Sequence, residues 1–430
     1  MFFFIQNKPQ FTPQHAELLR NSPVDAQGPG TILRDFEMLL AFFSAGRMPL
    51  TKGRQLTLKA LPNLNAQLSR PLALGLSRPL QKAFPHLEGL YLLLRASGLT
   101  RVEIQGKSPV LVVDERALEA WQALNPTERY CTLLEVWLLG AQPQIIGRTR
   151  WGLISFGSTF DFWVSLVSRI PDTGTTLKAD PGLEASLYLF ETYNLALLEL
   201  FGLLEIEHLP PVPGAGWQIG LLHRTAWGDA LCALLYTNFF AELANVIARA
   251  VEPAPTPGQL LPVLQPYLLA WQQTLALPTP EFRDGIYIFR VDLGGTVWRR
   301  IAIPAKADLD DLANAILDAF EFSDRMHLYL FSYRDRRGLE VHAYHREVED
   351  ADVWAVEVTI GDLPLPVGDA MLFWFDFGDN WEFNVRLESI EPQSTPPVVD
   401  TVVLEAHGEA PEQYPIWEDD WDGDWEEADA

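Results

Sequence analysis

The stretch that most constrains the fold of this chain is Met371–Phe383, which reads M-L-F-W-F-D-F-G-D-N-W-E-F. Aromatic residues and carboxylates alternate on either side of a Gly-Asp-Asn corner at 378–380, the pattern of two strands joined by a tight turn. One face of the hairpin would carry Phe373, Phe375 and Phe377, and the other would carry Trp374 and Asp376. Because neither face can be wholly solvated, we expect the hairpin to lie centrally in a sheet.

Length, cysteine content and hydropathy indicate a multidomain protein of a reducing compartment. Its 430 residues exceed what one core normally organises, so two or three domains are expected. Cys131 and Cys232 are too few for a disulfide framework and lack metal-ligand spacing, so we interpret them as small buried residues of a cytoplasmic protein. Met1–Ile5 is too short for a signal peptide, and no apolar run approaches the ~20 residues of a membrane helix. We therefore expect no membrane partner.

The net charge of −25 is unevenly distributed along the chain. Residues 281–430 hold 35 Asp and Glu against 11 Lys and Arg, so the last third carries nearly all of the acidity. Residues 47–107 instead hold only two acids, Glu88 and Glu103, among ten bases. The ten bases are Arg47, Lys52, Arg54, Lys59, Arg70, Arg78, Lys82, Arg95, Arg101 and Lys107. A local excess of bases is the electrostatic footprint of a nucleic-acid-binding module.

Residues 31–150 follow the order of elements in a winged-helix module. Helical spacing of apolar residues begins after Thr31, a possible N-cap, and stops at Gly46. The patterns then predict a short extended piece at 49–56, helices at 58–68 and 87–97, strands at 102–104 and 110–113, and a helix at 115–124. Lys107 would lie at the tip of the wing between the two strands.

A second copy of this pattern follows about a hundred residues later. The motif Leu93, Leu94, Gly98, Leu99 and Glu103 recurs as Leu197, Leu198, Gly202, Leu203 and Glu207 at a constant offset of 104 residues. A fixed offset predicts an internal duplication. The alternative is that any two helix-to-hairpin units ending in Gly-Leu look alike.

The segment Leu50–Leu56, L-T-K-G-R-Q-L, resembles the segment that precedes the tandem winged-helix region of helicase-associated proteins. The resemblance covers residues 31–235 and supports a winged helix. It implies no helicase, because the chain contains no phosphate-binding G-x-x-x-x-G-K-[ST] loop.

Beyond these units the pattern changes twice before it settles into strands. A helix is predicted at 238–250, and proline-rich breaks on either side of another helix at 260–275 mark a linker, with the domain boundary close to Phe282. Alternation then predicts strands at 286–293, 297–303, 328–333, 339–344, 353–360, 371–377, 381–390 and 398–404, with a helix at 309–320 capped by Asp308. This is an α+β domain with a mostly antiparallel sheet.

Four motifs in this region resemble the plasmid pRiA4b ORF-3-like family over residues 285–425. They are W-R-R-I at 298–301, L-D-D-L at 309–312, H-L-Y-L-F at 327–331 and F-D-F-G-D-N-W-E at 375–382. The motif residues are Trp298, Arg299, Arg300, His327, Asp376, Gly378, Asp379 and Trp381. The family is largely uncharacterised and often linked with mobile elements, so the resemblance implies a fold more than an activity.

Two groups of residues are candidate sites. Asp376, Asp379 and Glu382 would offer oxygen ligands to Mg²⁺ or Mn²⁺ if the turn gathered them, although Asp and Asn at a corner are also ordinary turn chemistry. The predicted nucleic-acid-binding residues are Lys52, Arg54, Lys59, Arg101 and Lys107. The alternative for these bases is a solvated face that docks on the acidic domain of the same chain.

Residues 412–430 contain nine acids and no base, interleaved with Trp417, Trp421 and Trp425. This composition is typical of a disordered acidic tail that binds a basic groove. We expect the tail to compete with nucleic acid for residues 47–107.

The sequence thus predicts a multidomain protein with a mainly α N-terminal region of tandem winged-helix units, followed by the α+β domain. The predicted parts are an extended arm (1–30), a basic winged-helix-like domain (31–150), a second such unit (151–250), a linker with one helix (251–281), the family domain (282–410) and the tail (411–430). We expect a non-enzymatic binding or regulatory protein without a cofactor, with double-stranded DNA or a protein as its partner. A protein-interaction scaffold and a metal-dependent hydrolase using the hairpin carboxylates are the alternatives.

Overall fold

The computed structural model describes residues 8–106, 108–146, 158–240, 257–278, 281–349, 351–392 and 400–414. The chain forms two compact units. The N-terminal unit comprises Met1–Pro280 together with Arg334–Glu340, and the C-terminal unit comprises Glu281–Tyr333 and Val341–Ala430. No helix of the described ranges is long and apolar enough to cross a membrane.

The N-terminal unit is mainly helical. Its helices are α1 (Pro13–Asn21), α2 (Ile32–Ser44), α3 (Leu61–Gln67), α4 (Pro85–Ala96), α5 (Glu115–Gln122), α6 (Pro126–Glu135), α7 (Ser158–Arg169), α8 (Pro181–Phe190), α9 (Thr192–Leu200), α10 (Ala226–Leu235) and α11 (Leu261–Leu264). Its strands are β1 (Met48–Pro49), β2 (Thr100–Gln105), β3 (Ser108–Val113), β4 (Thr175–Thr176), β5 (Leu204–His208) and β6 (Ile219–Arg224).

The same succession of elements occurs twice in this unit. The elements α2-β1-α3-α4-β2-β3 and α7-β4-α8-α9-β5-β6 each run helix, strand, helix, helix, strand, strand. Each set forms a three-stranded antiparallel sheet with the last strand in the middle, in the orders β1-β3-β2 and β4-β6-β5. Gly98 and Gly202, which follow α4 and α9, both adopt left-handed φ angles, of 78° and 72°. The predicted repeat at an offset of 104 residues is therefore present in the fold.

The two repeats pack together through their third helices. Every residue of α4 is buried, as is α9 from Tyr193 to Leu200. The helices approach closely at Gly89, where an added Cβ would lie 2.8 Å from Cγ of Leu197. Because neither helix keeps a solvated face, the pair forms the centre of one continuous apolar core.

Residues just before α2 lie against the C-terminal end of α9. The backbone N–H of Thr31 donates a hydrogen bond of 2.8 Å to the carbonyl oxygen of Leu200. Gly30 has a φ of 68°, and a Cβ there would lie 2.1 Å from that same oxygen. A Cβ on Gly202 would lie 2.5 Å from the Gly30 nitrogen. Both positions therefore require glycine for conformation and for space.

Two expectations for the N-terminal unit are corrected, and a third lies mostly outside the described residues. The predicted extended arm contains α1, because Pro13 occupies the first turn and Thr12 and His15 form a capping box. The predicted helix at 260–275 is limited to α11, because Pro266 disfavours helical geometry in the residue before it. Most of the predicted helix at 238–250 lies outside the described residues. The described part before it ends in a π-helical turn, Tyr236–Phe240.

The C-terminal unit is an α+β domain built on one seven-stranded sheet. Its elements are β7 (Ile286–Leu293), β8 (Val297–Pro304), α12 (Leu309–Ala319), β9 (Tyr329–Arg334), β10 (Glu340–Tyr344), β11 (Ala370–Phe375), β12 (Trp381–Glu391) and β13 (Val402–His407). The strand order is β10-β9-β11-β12-β7-β8-β13, and the pairings from β9 to β13 are antiparallel. Asp308 caps α12 in a capping box with Asp311, as its position predicts.

The hairpin at 371–383 is β11 and β12, and it lies in the interior of the sheet as its pattern predicts. Phe373 pairs with Phe383 across the two strands, and both are fully buried. Phe377 departs from the prediction that it shares a face with Phe373, because Asp376 adopts a φ of 54° and ends the alternation. Phe377 lies beyond the strand and is 40% exposed.

The predicted strand at 353–360 is not a strand. The segment forms two 3-10 turns, Ala355–Glu357 and Ile360–Asp362. Its first residue contacts the sheet, because Tyr344 N at the end of β10 donates to Val353 O at 3.0 Å. The later residues bond to the connection between β8 and α12, with Ile360 N donating to Ala307 O at 2.8 Å and Leu309 N donating to Val358 O at 3.1 Å. Alternating hydrophobicity here therefore does not reflect a continuous ladder with a sheet neighbour.

We expect Gly30→Ala to destabilise the N-terminal unit more than Gly106→Ala. Both glycines have left-handed φ angles, 68° and 65°, so each substitution costs about 1–2 kcal/mol of backbone strain. A Cβ on Gly106 meets nothing within 4 Å, whereas one on Gly30 collides with the Leu200 carbonyl. Gly30→Ala should therefore cost roughly 1–3 kcal/mol more, measured by urea unfolding. Equal losses for the two variants would contradict the close packing of Gly30 on α9.

Candidate functional site

The predicted nucleic-acid-binding residues differ in their exposure and in whether they form ion pairs. Lys52 and Lys59 are exposed. Arg54 is half-buried with a left-handed φ of 59°, and its carbonyl accepts a hydrogen bond from Tyr91 Oη. Arg101 is bound in ion pairs with Glu103 at 3.0 Å and Asp114 at 3.1 Å. Lys107 lies outside the described residues.

Four exposed bases form what we call the basic patch: Lys52, Lys59, Arg78 and Lys82. A hydrogen bond of 2.7 Å from Leu56 N to Gln81 Oε1 holds the segment that carries Lys52 and Lys59 against the segment that carries Lys82. No ion pair found in the described part of the chain involves these four residues, whereas Arg47, Arg70 and Arg101 each pair with a carboxylate. The basic patch therefore keeps its charge available to an anionic partner.

A polar cluster that the sequence did not predict lies where the two repeats meet. We call the cluster of Glu199, His86, His208 and Arg70 the Glu199 cluster. Glu199 is a lone charge on the buried helix α9, His86 lies in the first turn of α4, and His208 ends β5. Arg70 reaches in from the segment that follows α3, with about half of its side chain exposed.

Both oxygens of the Glu199 carboxylate are occupied. His86 Nε2 lies 2.7 Å from Oε2, and His208 Nε2 lies 2.9 Å from Oε2 and 3.0 Å from Oε1. Arg70 Nη1 donates to Oε1. The Trp217 ring packs edge-on against both imidazoles, with ring centroids 5.0 and 5.4 Å away. Two polar atoms of this region, His86 Nδ1 and Trp217 Nε1, are buried without a hydrogen-bond partner.

The surroundings of Glu199 keep its carboxylate ionised. Burial by itself would raise the pKa of Glu199, but the hydrogen bonds from His208 and His86, together with their positive charge, lower the pKa to about 2. A buried carboxylate with donors on every oxygen is a fixed negative charge at any physiological pH.

A cavity of about 300 Å³ adjoins the cluster. Arg70, His86, Glu199 and Asp35 are among the residues that line it. Asp35 Oδ1 accepts hydrogen bonds of 2.7 Å from both the backbone N and the hydroxyl of Ser69, while its Oδ2 is buried without a partner. The cavity thus has an unsatisfied carboxylate oxygen and an ionised cluster on its walls.

The hairpin carboxylates are not gathered into the predicted metal site. Asp376 is buried, and its Oδ1 accepts hydrogen bonds from the backbone N–H groups of Gly378 at 3.0 Å and Asp379 at 3.4 Å. Asp379 and Glu382 are exposed. Within the described ranges, the one group of His, Cys, Asp and Glu ligand atoms that converge within 4.8 Å is His86, Glu199 and His208. The corner at 378–380 is ordinary turn chemistry, as the alternative interpretation proposes.

The other motif residues mainly secure the C-terminal unit. Arg299 is buried and donates to the carbonyl of Ala319, at the end of α12, and to those of His407 and Gly408, at the end of β13. Arg300 forms ion pairs with Glu388 at 2.7 Å and Glu405 at 3.0 Å. Each arginine faces a different side, as alternation predicts. Trp298 stacks on His407, with ring centroids 5.3 Å apart, and Trp381 packs against Phe322.

His327 brings two of the family motifs together at the hairpin corner. Its Nδ1 lies 3.3 Å from Asp376 Oδ2, and its Nε2 lies 2.9 Å from the Tyr414 hydroxyl and 3.2 Å from Asp324 Oδ2. Burial and the neighbouring carboxylates of Asp324, Asp376 and Asp379 raise the pKa of Tyr414 to about 12. The sequence pattern predicts neither Asp324 nor Tyr414 as members of this group.

The comparisons with known proteins agree with this division. Residues 286–414 match the model of the family described as plasmid pRiA4b ORF-3-like protein. The C-terminal unit contains a pRiA4b ORF-3-like domain. The resemblance stated from the motifs is thereby confirmed for this domain, and the match does not include residues 1–285.

Other comparisons add little beyond the pRiA4b ORF-3-like domain. Two chains among solved structures match. One is the crystal structure of a protein of unknown function from Methanosarcina mazei Go1, 22% identical, with a TM-score of 0.25. That match covers 29% of this chain and 70% of the other. Among curated proteins, none matches.

The Glu199 cluster escapes sequence analysis because its members are far apart in the chain. His86 and Glu199 are separated by 113 residues, and no local motif links them. One signal was present: Glu199 interrupts the apolar run of Leu195–Leu204 in a helix that is otherwise wholly apolar at its C-terminal end. A single charge in such a helix indicates a buried partner.

We expect Glu199→Gln to destabilise the N-terminal unit by about 3–5 kcal/mol, because it removes the only negative charge that His86, His208 and Arg70 face in the cluster. The matched control is Glu103→Gln, which removes a half-buried, solvent-accessible partner of Arg47 and Arg101 and should cost about 0–1 kcal/mol. Chemical denaturation of both variants measures the difference. A Glu199→Gln variant as stable as Glu103→Gln would show that the cluster does not hold the repeats together.

Proposed function

We propose that the protein binds the phosphate backbone of nucleic acid through the basic patch of its N-terminal unit, without reading sequence. The observation that carries this proposal is that Lys52, Lys59, Arg78 and Lys82 are exposed and held in no ion pair of the described residues. Lys and Arg side chains that can reach phosphates supply most of the affinity of non-specific nucleic-acid binding. The protein acts as a binding or regulatory protein in the cytoplasm rather than as an enzyme.

The order of elements and the strand order support a winged-helix assignment for both repeats. Winged-helix proteins that read sequence insert a recognition helix into the major groove. Here the corresponding helices, α4 and α9, are buried against one another. What remains for nucleic acid is the segment around α3 and the connection to α4, which carries the basic patch and contacts backbone rather than bases.

A protein-interaction scaffold that binds no nucleic acid is the second candidate. The burial of both recognition-type helices favours it, as does the charge of the acidic third of the chain, with 35 acids against 11 bases. Charge repulsion of this size lowers affinity for DNA and is only partly screened over a Debye length of ~8 Å at physiological salt. The two candidates differ in salt-dependent binding.

Neutralising the basic patch tests the proposal in the full-length chain. The variant carries Lys52→Gln, Lys59→Gln, Arg78→Gln and Lys82→Gln together, and fluorescence anisotropy of a labelled duplex is measured across a salt series. We expect weaker binding at low salt and a logarithmic salt slope that falls by roughly 0.9 for each phosphate that the variant no longer neutralises.

The matched control neutralises Arg47 and Arg101, whose charges are already paired with Glu103 and Asp114. This double variant should keep most of the slope. Wild-type protein that shows no salt-dependent binding at all would leave the scaffold as the better account. A smaller slope in the control but not in the basic-patch variant would move the site to the wing.

We also propose that the acidic tail masks the basic patch. Residues 412–430 hold nine acids and no base, and those beyond Tyr414 lie outside the described residues. A chain ending at Tyr414 keeps the contacts of Tyr414 with His327 and should bind the same duplex more tightly than the full chain at low salt. Equal affinities for the two lengths would show that the tail does not compete.

A further inference from the structure

The donor set of the Glu199 cluster is one that transition metals use. Neutral imidazole nitrogens and a carboxylate oxygen are common ligands of Zn²⁺, and two histidines with one carboxylate also bind Fe²⁺. His86 Nε2, His208 Nε2 and the Glu199 oxygens all lie within 4.8 Å of one another. Two of the three side chains are buried, and α4, α9 and β5 hold them on regular secondary structure.

We propose that the N-terminal unit binds one divalent transition-metal ion through His86 Nε2, His208 Nε2 and Glu199 Oε2. The inference is independent of nucleic-acid binding, because it concerns the contact between the repeats and not the basic patch. It adds a site that neither the family match nor the motifs assign.

The distances leave room for the ion after a small adjustment. The nitrogens of His86 and His208 lie 2.7 and 2.9 Å from Glu199 Oε2, which are hydrogen-bond separations. Ligand atoms around a tetrahedral zinc ion lie about 3.3 Å apart, given metal–ligand bonds of about 2.0–2.1 Å. Each imidazole nitrogen must therefore move about half an ångström away from Oε2. Arg70 holds the other oxygen, Oε1, and so fixes the plane of the carboxylate.

The ion displaces one proton from each imidazole. In the metal-free cluster the charged imidazoles of His86 and His208 face the Glu199 carboxylate through Nε2. On metal binding each Nε2 releases its proton to solvent and its lone pair bonds to the ion, while Nδ1 keeps the remaining proton and each ring becomes neutral.

The adjoining cavity gives the ion an open side. His86 and Glu199 both line the cavity of about 300 Å³, so a ligand beyond the three side chains would come from it. Asp35 also lines this cavity, and its buried Oδ2 has no hydrogen-bond partner. Three protein ligands and one open position distinguish this site from a closed four-ligand structural zinc site.

The test uses tag-free, full-length protein titrated with Co²⁺, which reports its ligand field in visible absorption, followed by displacement with Zn²⁺. We expect one ion per chain and a rise in the melting temperature with added metal. His208→Gln, at a half-buried position, should weaken Co²⁺ binding by more than the roughly 10–100-fold that follows loss of a residue supporting a ligand.

The matched control is His327→Gln, which alters the other histidine flanked by carboxylates and should leave the affinity unchanged. X-ray absorption of the zinc-loaded wild-type protein needs no variant and should show two imidazole ligands. Absence of a cobalt spectrum, retention of full affinity in His208→Gln, or loss of the ion in His327→Gln would each overturn the proposal.

Discussion

The contact between α4 and α9 is the constraint on which the rest of the N-terminal unit depends. Each repeat alone would leave the apolar side chains of one mostly apolar helix exposed, and the two helices remove that surface from water together. Bringing these helices into contact has two consequences. Gly89 packs closely against Leu197, and Gly30 packs against the end of α9. Each repeat thus completes its hydrophobic core by packing against the other repeat.

The same contact determines what the surface can do. A helix that fills the core cannot enter a DNA groove, so any nucleic-acid contact falls to the shorter segments around α3. It also sets His86 of the first repeat beside Glu199 of the second, which produces a polar site inside an apolar interface. Isolated charges there would be strongly unfavourable, and the cluster is tolerated because every oxygen of Glu199 has a donor.

The parts of the fold that depend on local pattern could be predicted from the sequence. The bounds of β7, the Asp308 cap of α12 and the interior position of the 371–383 hairpin all follow from alternation and capping signals. Residues 353–360 alternate as a strand does, but Val353 bonds to the end of β10 while Val358 and Ile360 bond to the connection after β8. The alternating pattern predicts which side chains are buried. It does not predict which backbone groups the segment hydrogen-bonds to.

The candidate sites likewise divide into features that the local sequence predicts and features that depend on tertiary contacts. The exposure of Lys52 and Lys59 is expected from their charge. The sequence pattern could not show, however, that Arg101 forms ion pairs with Glu103 and Asp114. The Glu199 cluster was hidden for a different reason, since its members come from two repeats and meet only through tertiary packing. Equally, the carboxylates of the hairpin are close in sequence, but their side chains satisfy their own turn or face solvent.

The duplication itself shows where the two halves have diverged. At the offset of 104 residues, Glu199 of α9 corresponds to Arg95 of α4, so equivalent buried positions carry opposite charges. Arg95 donates to the hydroxyl of Tyr91 on its own helix and to the carbonyl oxygen of Arg337, each at 3.3 Å, whereas Glu199 collects donors from three separate segments. Packing alone would be served by apolar residues at both positions. A charge is kept at both positions, but only Glu199 is matched with a pair of histidines, so the equivalent ends of the two repeats differ in chemistry.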